Sequence, residues 1–355
     1  MFCTHCGSRV PDGANFCVGC GAQVNRGAPV ASPVPAPPGF PPPAPLVSPA
    51  AVHLSTPVAP GPAARHKCRW CGMVSDGAQL SCPGCGATID QLPTASRSGW
   101  AQLPGRKDMA KLQFGNSFCQ IEGNYVPVAD MNLAAGDGIF FTHHVLLWKD
   151  AQVAVTTMPL AGGWKRMFAG LPLIMTQAQG PGHIAFSRDA PGEMIALPIQ
   201  PGQSIDVREH LFMIATSNLQ YDWFSTGVWF VTQGQDNDTE THYPVGMFMD
   251  RFAGAQTPGL LLLHAAGNVL VRELAPNQTI LVKPTSLIFK DPSVQMALHF
   301  EHPRTGFTAW GAWGNRYMWL RLWGPGRVAI QSVFDRVEAE NQNVSSYSPA
   351  TSQQW

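Results

Sequence analysis

Charge and long apolar runs are both scarce in this sequence. Lys+Arg and Asp+Glu number 23 each in 355 residues, charged side chains make up 13 %, and the net charge is zero. That balance lacks the broad basic footprint with which proteins hold nucleic acid or anionic lipid. No stretch reaches the roughly 18 apolar residues of a spanning helix, so none is expected. The most apolar run, Leu260 to Val271, is broken by His264, Gly267 and Asn268. The sequence also lacks a Gly-x-Ser-x-Gly elbow, a phosphate loop and a dinucleotide fingerprint. Its first residues carry no secretory pattern, so a cytoplasmic chain with reduced thiols is expected.

What is present begins with cysteine. Cys3-x2-Cys6 and Cys17-x2-Cys20 are separated by ten residues, and Cys68-x2-Cys71 and Cys82-x2-Cys85 repeat that spacing. Each set of four reads as a tetrahedral Zn(Cys)4 site, giving two structural Zn2+ ions. Gly7, Gly21, Gly72 and Gly86 follow the second cysteine of every pair, where a tight turn needs glycine's freedom. Ser75-Asp76-Gly77 and Pro11-Asp12-Gly13 are expected to turn a short hairpin between the paired turns. Segments of about 20 residues bury too little apolar surface to fold alone, so the metal must supply folding energy. Four thiolates leave no open coordination position, which predicts structure and not catalysis. A disulfide framework is the competing reading.

Composition divides the rest. Residues 1–25 and 66–90 are the two ribbons. Residues 26–65, with Pro37-Pro38 and Pro41-Pro42-Pro43, form a proline-rich linker expected to act as a semi-rigid spacer. Residues 91–112 read as a connector whose Trp100, Leu103 and Pro104 could dock on the main body. The Ser/Asn/Gln-rich stretch 338–355 reads as a disordered tail.

Residues 113–337 alternate short β-type runs with Gly, Pro, Asn and Asp turns. Val294, Met296, Leu298 and Phe300 share one strand face, and Ser204 to Arg208 alternates the same way. The region also repeats. Leu133 to Phe141, followed by Leu146 to Val153, aligns without a gap on Leu274 to Val282, followed by Leu287 to Val294. A third copy starts at Ile199 and needs one deletion before Leu211. Pro181-Gly182, Pro258-Gly259 and Pro325-Gly326 each lead into an apolar strand. The fold class expected is all-β, a sandwich or barrel-like body with internal repeats.

Gly180 to Ser187, Pro191 to Ile199, Pro201 to Val207, Gly259 to His264 with Gly267, and Trp164 to Phe168 carry a family resemblance. In them the body resembles the altered-inheritance-of-mitochondria family, type twenty-four, over nearly all of 113–337. The resemblance implies an all-β body related to tryptophan-attenuator-like folds, commonly oligomeric, without an established enzymatic activity. The mitochondrial member is linked to inner-membrane organisation. Paired ribbons and a proline linker depart from that member and look like a bacterial, actinobacterial arrangement, so its role is not carried over.

Several constellations invite chemistry. His143 and His144 are adjacent, so on a strand they would point to opposite faces and could not share a metal. His299, Glu301 and His302 place two ligand types on one face but need a third from elsewhere. Asp236 to His242 could hold a hard cation or be a solvated loop. Cys119, in an apolar strand setting, reads as an inert buried thiol. Tyr317, Trp319, Arg321 and Trp323 share one strand face, with Met318, Leu320 and Leu322 on the other. Together with Trp310 and Trp313 they suit either a buried strand or a subunit interface.

The reading is a non-enzymatic, oligomeric scaffold whose ribbons capture protein partners by avidity. Two alternatives remain open: RNA binding through ribbons and body, and an enzyme or small-ligand binder with a pocket between repeats.

Overall fold

In the computed structural model the chain divides into two compact units, Met1–Ala59 and Pro60–Trp355. The structure describes residues 65–68, 73–76, 82–84, 96–103, 108–159, 174–233, 238–301, 316–337 and 344–348, all in the second unit. Cys3, Cys6, Cys17, Cys20, Cys71, Cys85 and the proline-rich linker lie outside the described residues.

The described residues form β-strands and two single 3-10 turns. A first hairpin joins β1 (Arg65–Lys67) to β2 (Val74–Asp76). The strands β3 (Ala101–Gln102), β4 (Ala110–Phe114) and β5 (Ser117–Glu122) follow. A first segment then carries β6 (Val128–Leu133), β7 (Gly138–Phe141), β8 (Leu146–Lys149), β9 (Ala154–Pro159), β10 (Ile174–Gln179) and β11 (Gly182–Ser187). A second carries β12 (Glu193–Ile199), β13 (Ser204–Arg208), β14 (Phe212–Thr216) and β15 (Leu219–Ser225). After an excursion through β16 (Phe230–Gln233) and β17 (Thr239–His242) it ends in β18 (Phe248–Gly254) and β19 (Gly259–Ala265). The third holds β20 (Val269–Leu274), β21 (Thr279–Val282), β22 (Leu287–Lys290), β23 (Gln295–Glu301), β24 (Tyr317–Trp323) and β25 (Gly326–Gln331), and β26 (Val344–Tyr347) comes last.

One pairing scheme serves all three segments. The sixth strand pairs with the first and third, as in β11 with β6 and β8, β19 with β12 and β14, and β25 with β20 and β22. The fifth pairs with the second and fourth, as in β10 with β7 and β9, β18 with β13 and β15, and β24 with β21 and β23. Where the fifth strand ends, Gly180, Gly254 and Gly324 make isolated parallel bridges to Ala135, Pro201 and Pro276. A Cβ at any of these glycines would collide with the carbonyl oxygen of Ala134, Gln200 or Ala275, so the close backbone approach requires glycine.

Segments join through their neighbours' strands. β7 of the first pairs with β14 of the second, and β13 of the second pairs with β22 of the third. The result is a six-stranded sheet, β12-β19-β14-β7-β10-β9, and a seven-stranded sheet, β15-β18-β13-β22-β25-β20-β3. A five-stranded sheet, β4-β5-β6-β11-β8, and a three-stranded sheet, β21-β24-β23, flank them, and a second three-stranded sheet, β17-β16-β26, adds Phe230 and Val344 to the third core.

Three apolar cores separate these sheets. Adjacent strand residues point to opposite faces, so their core membership reveals the layering. Ile139 and Phe141 of β7 enter the first core, while Phe140 enters the second. Leu260 and Leu262 of β19 likewise face the first core and Leu261 and Leu263 the second. The six-stranded sheet is therefore buried on both faces. The seven-stranded sheet separates the second core (Val207, Phe252) from the third (Met249, Val328). The five-stranded sheet contributes Leu112, Met131 and Phe186 to the first core, and the three-stranded sheet gives Met318, Leu320 and Leu322 to the third. The body is a stack of four sheets with the five- and three-stranded sheets at its ends, which is the all-β class expected.

Two boundaries differ from the sequence reading. β structure of the body begins at Ala101, where β3 pairs with β20, and Trp100 and Leu103 pack on its cores. The stretch 338–355 contains β26, paired with β16, so the reading of a disordered tail is corrected there. The buried Ser348 anchors it: its Oγ accepts from Trp229 N at 3.3 Å, and its amide donates to the Trp229 carbonyl at 2.9 Å.

Candidate functional site

The second cysteine set is described at Cys68 and Cys82. Both are buried and fall within the first core's cluster. β1 runs directly into Cys68, whose amide donates to the Met73 carbonyl at 2.8 Å and closes the turn. The hairpin is thus made across the first cysteine pair. Ser75 and Asp76, expected to turn the chain between the pairs, are strand residues opposite His66 and Arg65. At the second pair, Gly84 N donates to Cys82 Sγ at 3.4 Å. Cys68 and Cys82 are thus two buried thiols of the second cysteine set.

The other candidates do not converge. His143 and His144 lie in a 3-10 turn with rings 5.6 Å apart at 88°. The His144 Nε2 is 3.0 Å from Arg188 Nη1. Burial, then the Arg188 charge, holds the His144 imidazole below its ordinary value. His299 is exposed on β23, and Glu301 accepts a hydrogen bond from Trp319 Nε1 at 3.0 Å. His302 lies outside the described residues, as do Asp236, Trp164 to Phe168, Trp310 and Trp313. Among the described residues no three His, Cys, Asp or Glu side chains gather as a metal site. His242 is held by Thr232 Oγ1 at 2.7 Å and stacks on Phe230 at 4.8 Å, while Asp238 and Glu240 are exposed. Cys119 is fully buried on β5, as expected of a packing thiol.

The charged cluster that sequence reasoning missed is buried between the second and third segments. Asp206 is fully buried on β13. Its carboxylate accepts from Arg251 Nε at 2.6 Å, Arg251 Nη2 at 3.0 Å and Lys290 Nζ at 2.8 Å. The Arg251 guanidinium lies 4.6 Å from the centre of the Phe224 ring. Burial pushes the Lys290 ammonium below its ordinary value although Asp206 pulls the other way, and the Asp206 hydrogen bond raises Arg251. Alternation along Ser204 to Arg208 puts Asp206 on the face away from Ile205 and Val207, which suggests solvent. That face is covered because β13 is an inner strand of the stack. The cluster is a structural clamp in which two cations compensate one buried carboxylate.

A cleft of about 570 Å3 opens between the first and second segments, lined by Gly115, Asp137, Ser217, Asn218 and Thr257 among others. Its polar groups hold one another. Asp137 Oδ2 accepts from Ser117 Oγ at 2.6 Å and Asn116 N at 3.0 Å. Asn218 Nδ2 donates to the Pro258 carbonyl at 2.6 Å and Thr257 Oγ1 at 3.0 Å.

The β24 face divides as alternation predicts. Met318, Leu320 and Leu322 are buried, while Tyr317 is exposed and Trp319, Arg321 and Trp323 are half-buried. Tyr317 and Trp319 stack at 6.0 Å, and Lys283 Nζ lies 5.0 Å from the centre of the Trp319 ring. This aromatic face is on the outside of the end sheet.

Comparison with known proteins adds two family matches and a solved structure. The family described as Mitochondrial biogenesis AIM24 matches residues 119–333. A zinc-ribbon domain matches residues 2–24. A Streptococcus pyogenes protein solved by X-ray crystallography is 17% identical, covering 61% of this chain and 94% of its own, with a TM-score of 0.43. No curated protein matches the chain.

Proposed function

The chain belongs to the Mitochondrial biogenesis AIM24 family, and on that premise we propose that it is a non-enzymatic cytoplasmic scaffold. Its β body self-associates and displays zinc ribbons that capture protein partners. The observation that carries this reading is the modular plan: a zinc-ribbon match at 2–24, a proline-rich tether, and a family body at 119–333. A stiff tether lets a small metal module search for a partner while self-association multiplies weak contacts. The second ribbon carries the second Zn2+, with Cys68, Cys71, Cys82 and Cys85 as ligands. When bound, zinc supplies folding energy to each ribbon.

The body supports a structural role. Its buried carboxylate Asp206 is compensated by Arg251 and Lys290, and its aromatic face on β24 suits a protein contact. A ligand-binding reading draws on the cleft beside Asp137.

Affinity capture tests the proposal with the full chain and with Cys3→Ser/Cys6→Ser and Cys68→Ser/Cys71→Ser variants. Partners recovered by the intact chain should be lost when either ribbon is disabled. Identical partner sets from all three would remove the ribbons from the function.

A further inference from the structure

Arg251 and Arg327 each meet an acid, Asp206 at 2.6 Å and Asp291 at 3.2 Å. Two other half-buried arginines do not. Among the described residues no carboxylate pairs with the guanidinium of Arg188 or of Arg208. Arg188 follows β11, and its Nη1 lies 3.0 Å from His144 Nε2. Arg208 ends β13 and donates from Nε to the Leu287 carbonyl at 2.7 Å. Its two Nη groups have no hydrogen-bond partner among the described residues.

The fold gathers these groups from three separate connections. β7 pairs with β14, and the Thr142 amide donates to the Met213 carbonyl at 3.2 Å, so the turn carrying His143 and His144 lies against β14. The His264 amide donates to the Leu211 carbonyl at 3.0 Å, while its Nε2 lies 3.1 Å from the carbonyl of Ala190, two residues past Arg188. The link after β11 and the turn between β13 and β14 therefore meet beside His264. Their charges act on one another: Arg188 on Arg208, His144 and His264, and His210 on His144. Burial holds both guanidiniums below their ordinary value. At Arg208 the Asp335 charge pulls the other way and the Arg188 charge adds to the lowering. Arg208 and His210 also line a cleft of about 500 Å3 with Thr241, His242 and Thr285. Glu209 lines it too, its carboxylate 3.7 Å from His210 Nε2. Half-buried cations brought together without an anion are costly, and an anion between them offsets that cost.

We propose that Arg188 and Arg208 together bind a phosphate group, either the free ion or the phosphate of a small molecule, with His210 at the edge of the site. Two guanidinium forks present more donors than the two oxygens of a carboxylate can accept, whereas a phosphate offers three or four. A phosphate monoester carries a charge of about −1.5 to −2 at neutral pH, which matches two arginines. His144 acts as a positioning residue, because its Nε2 accepts from the Arg188 guanidinium and orients it. The site goes beyond the scaffold reading and holds whether or not the ribbons capture a partner.

Calorimetric titration of the full chain with inorganic phosphate tests the proposal, with chloride holding the ionic strength constant. Saturable binding is expected, and Arg188→Gln and Arg208→Gln should each weaken it about tenfold or more. Heats no different from those of added chloride overturn the proposal, as does phosphate binding that both variants retain. A check on the unaltered chain needs no variant to fold. Phenylglyoxal labelling, read by peptide mass, should slow at Arg188 and Arg208 when phosphate is present and stay unchanged at the exposed Arg97. Equal labelling of Arg188 and Arg208 with and without phosphate overturns the assignment. A second titration with adenosine monophosphate separates the two sources. Tighter binding than inorganic phosphate supports the site with an organic phosphate as its ligand, and equal or weaker binding supports it with the free ion.

Discussion

Asp206 and Lys290 sit directly opposite one another on β13 and β22, joined at 2.8 Å inside the body. They come from successive segments, so this ion pair fastens one segment to the next. Asp206→Leu would strand a buried ammonium and is expected to cost about 3–5 kcal/mol in chemical denaturation. Adding Lys290→Met should recover most of that loss, because an apolar pair suits the surrounding core. A double variant no better than Asp206→Leu would show that the clamp is not the source of the effect.

His264 provides a pH signature. It is almost fully buried on β19, and its Nε2 lies 3.1 Å from the Ala190 carbonyl. Burial is the main cause that holds its imidazole below the ordinary 6.5, and the Arg188 charge lowers it further. The unfolded chain therefore takes up a proton near 6.5 while the folded chain does not. Stability from this group is complete above that pH and is lost as pH falls below it. Thermal unfolding between pH 7.5 and pH 5.5 should show Tm falling with acid. His264→Gln should shallow that slope without abolishing it, since the His144 shift has the same sign.

Gly254 tests the bridge where the fifth strand ends. Its φ is not in the left-handed region, so the obstacle to alanine there is the backbone of Gln200 and Pro201. A backbone obstacle cannot swing aside as a side chain does, and Gly254→Ala is expected to cost at least ~1–3 kcal/mol. Equal stability of the variant in a denaturant titration would mean the bridge opens freely.

Cys82 and Cys119 are both buried but should respond differently. Elemental analysis of the purified chain is expected to give two zinc ions per chain. Cys82→Ser should remove one and leave the hairpin of β1 and β2 protease-sensitive. Cys119→Ser should keep both and cost only a small packing term. An unaltered zinc count in Cys82→Ser would take Cys82 out of the ligand set.

The strands were largely legible because alternation is a local property. Alternation placed Met318, Leu320 and Leu322 together on one face of β24, and the apolar setting of Cys119 signalled its burial. The fate of Asp206 was not legible. A polar residue on the second face of a strand looks the same whether that face meets water or another sheet. The strand at Val344–Tyr347 was hidden for a related reason. Its composition is that of a solvated segment, and it is ordered by pairing with β16 and the anchoring of Ser348 near Trp229. The turn expected at Ser75-Asp76 failed because turn residues also tolerate a short edge strand once Cys68 closes the loop with Met73.

Cysteine spacing, proline density and strand alternation are short-range patterns, and the sequence alone was enough to read a zinc ribbon at the N-terminus and the all-β class from them. Which faces became interior was decided only in three dimensions. Each segment lends half a sheet to its neighbour, so burial depends on pairings between residues far apart in the chain. The same rule, applied at the two ends, leaves β8 and β21 each with one neighbouring strand among the described residues.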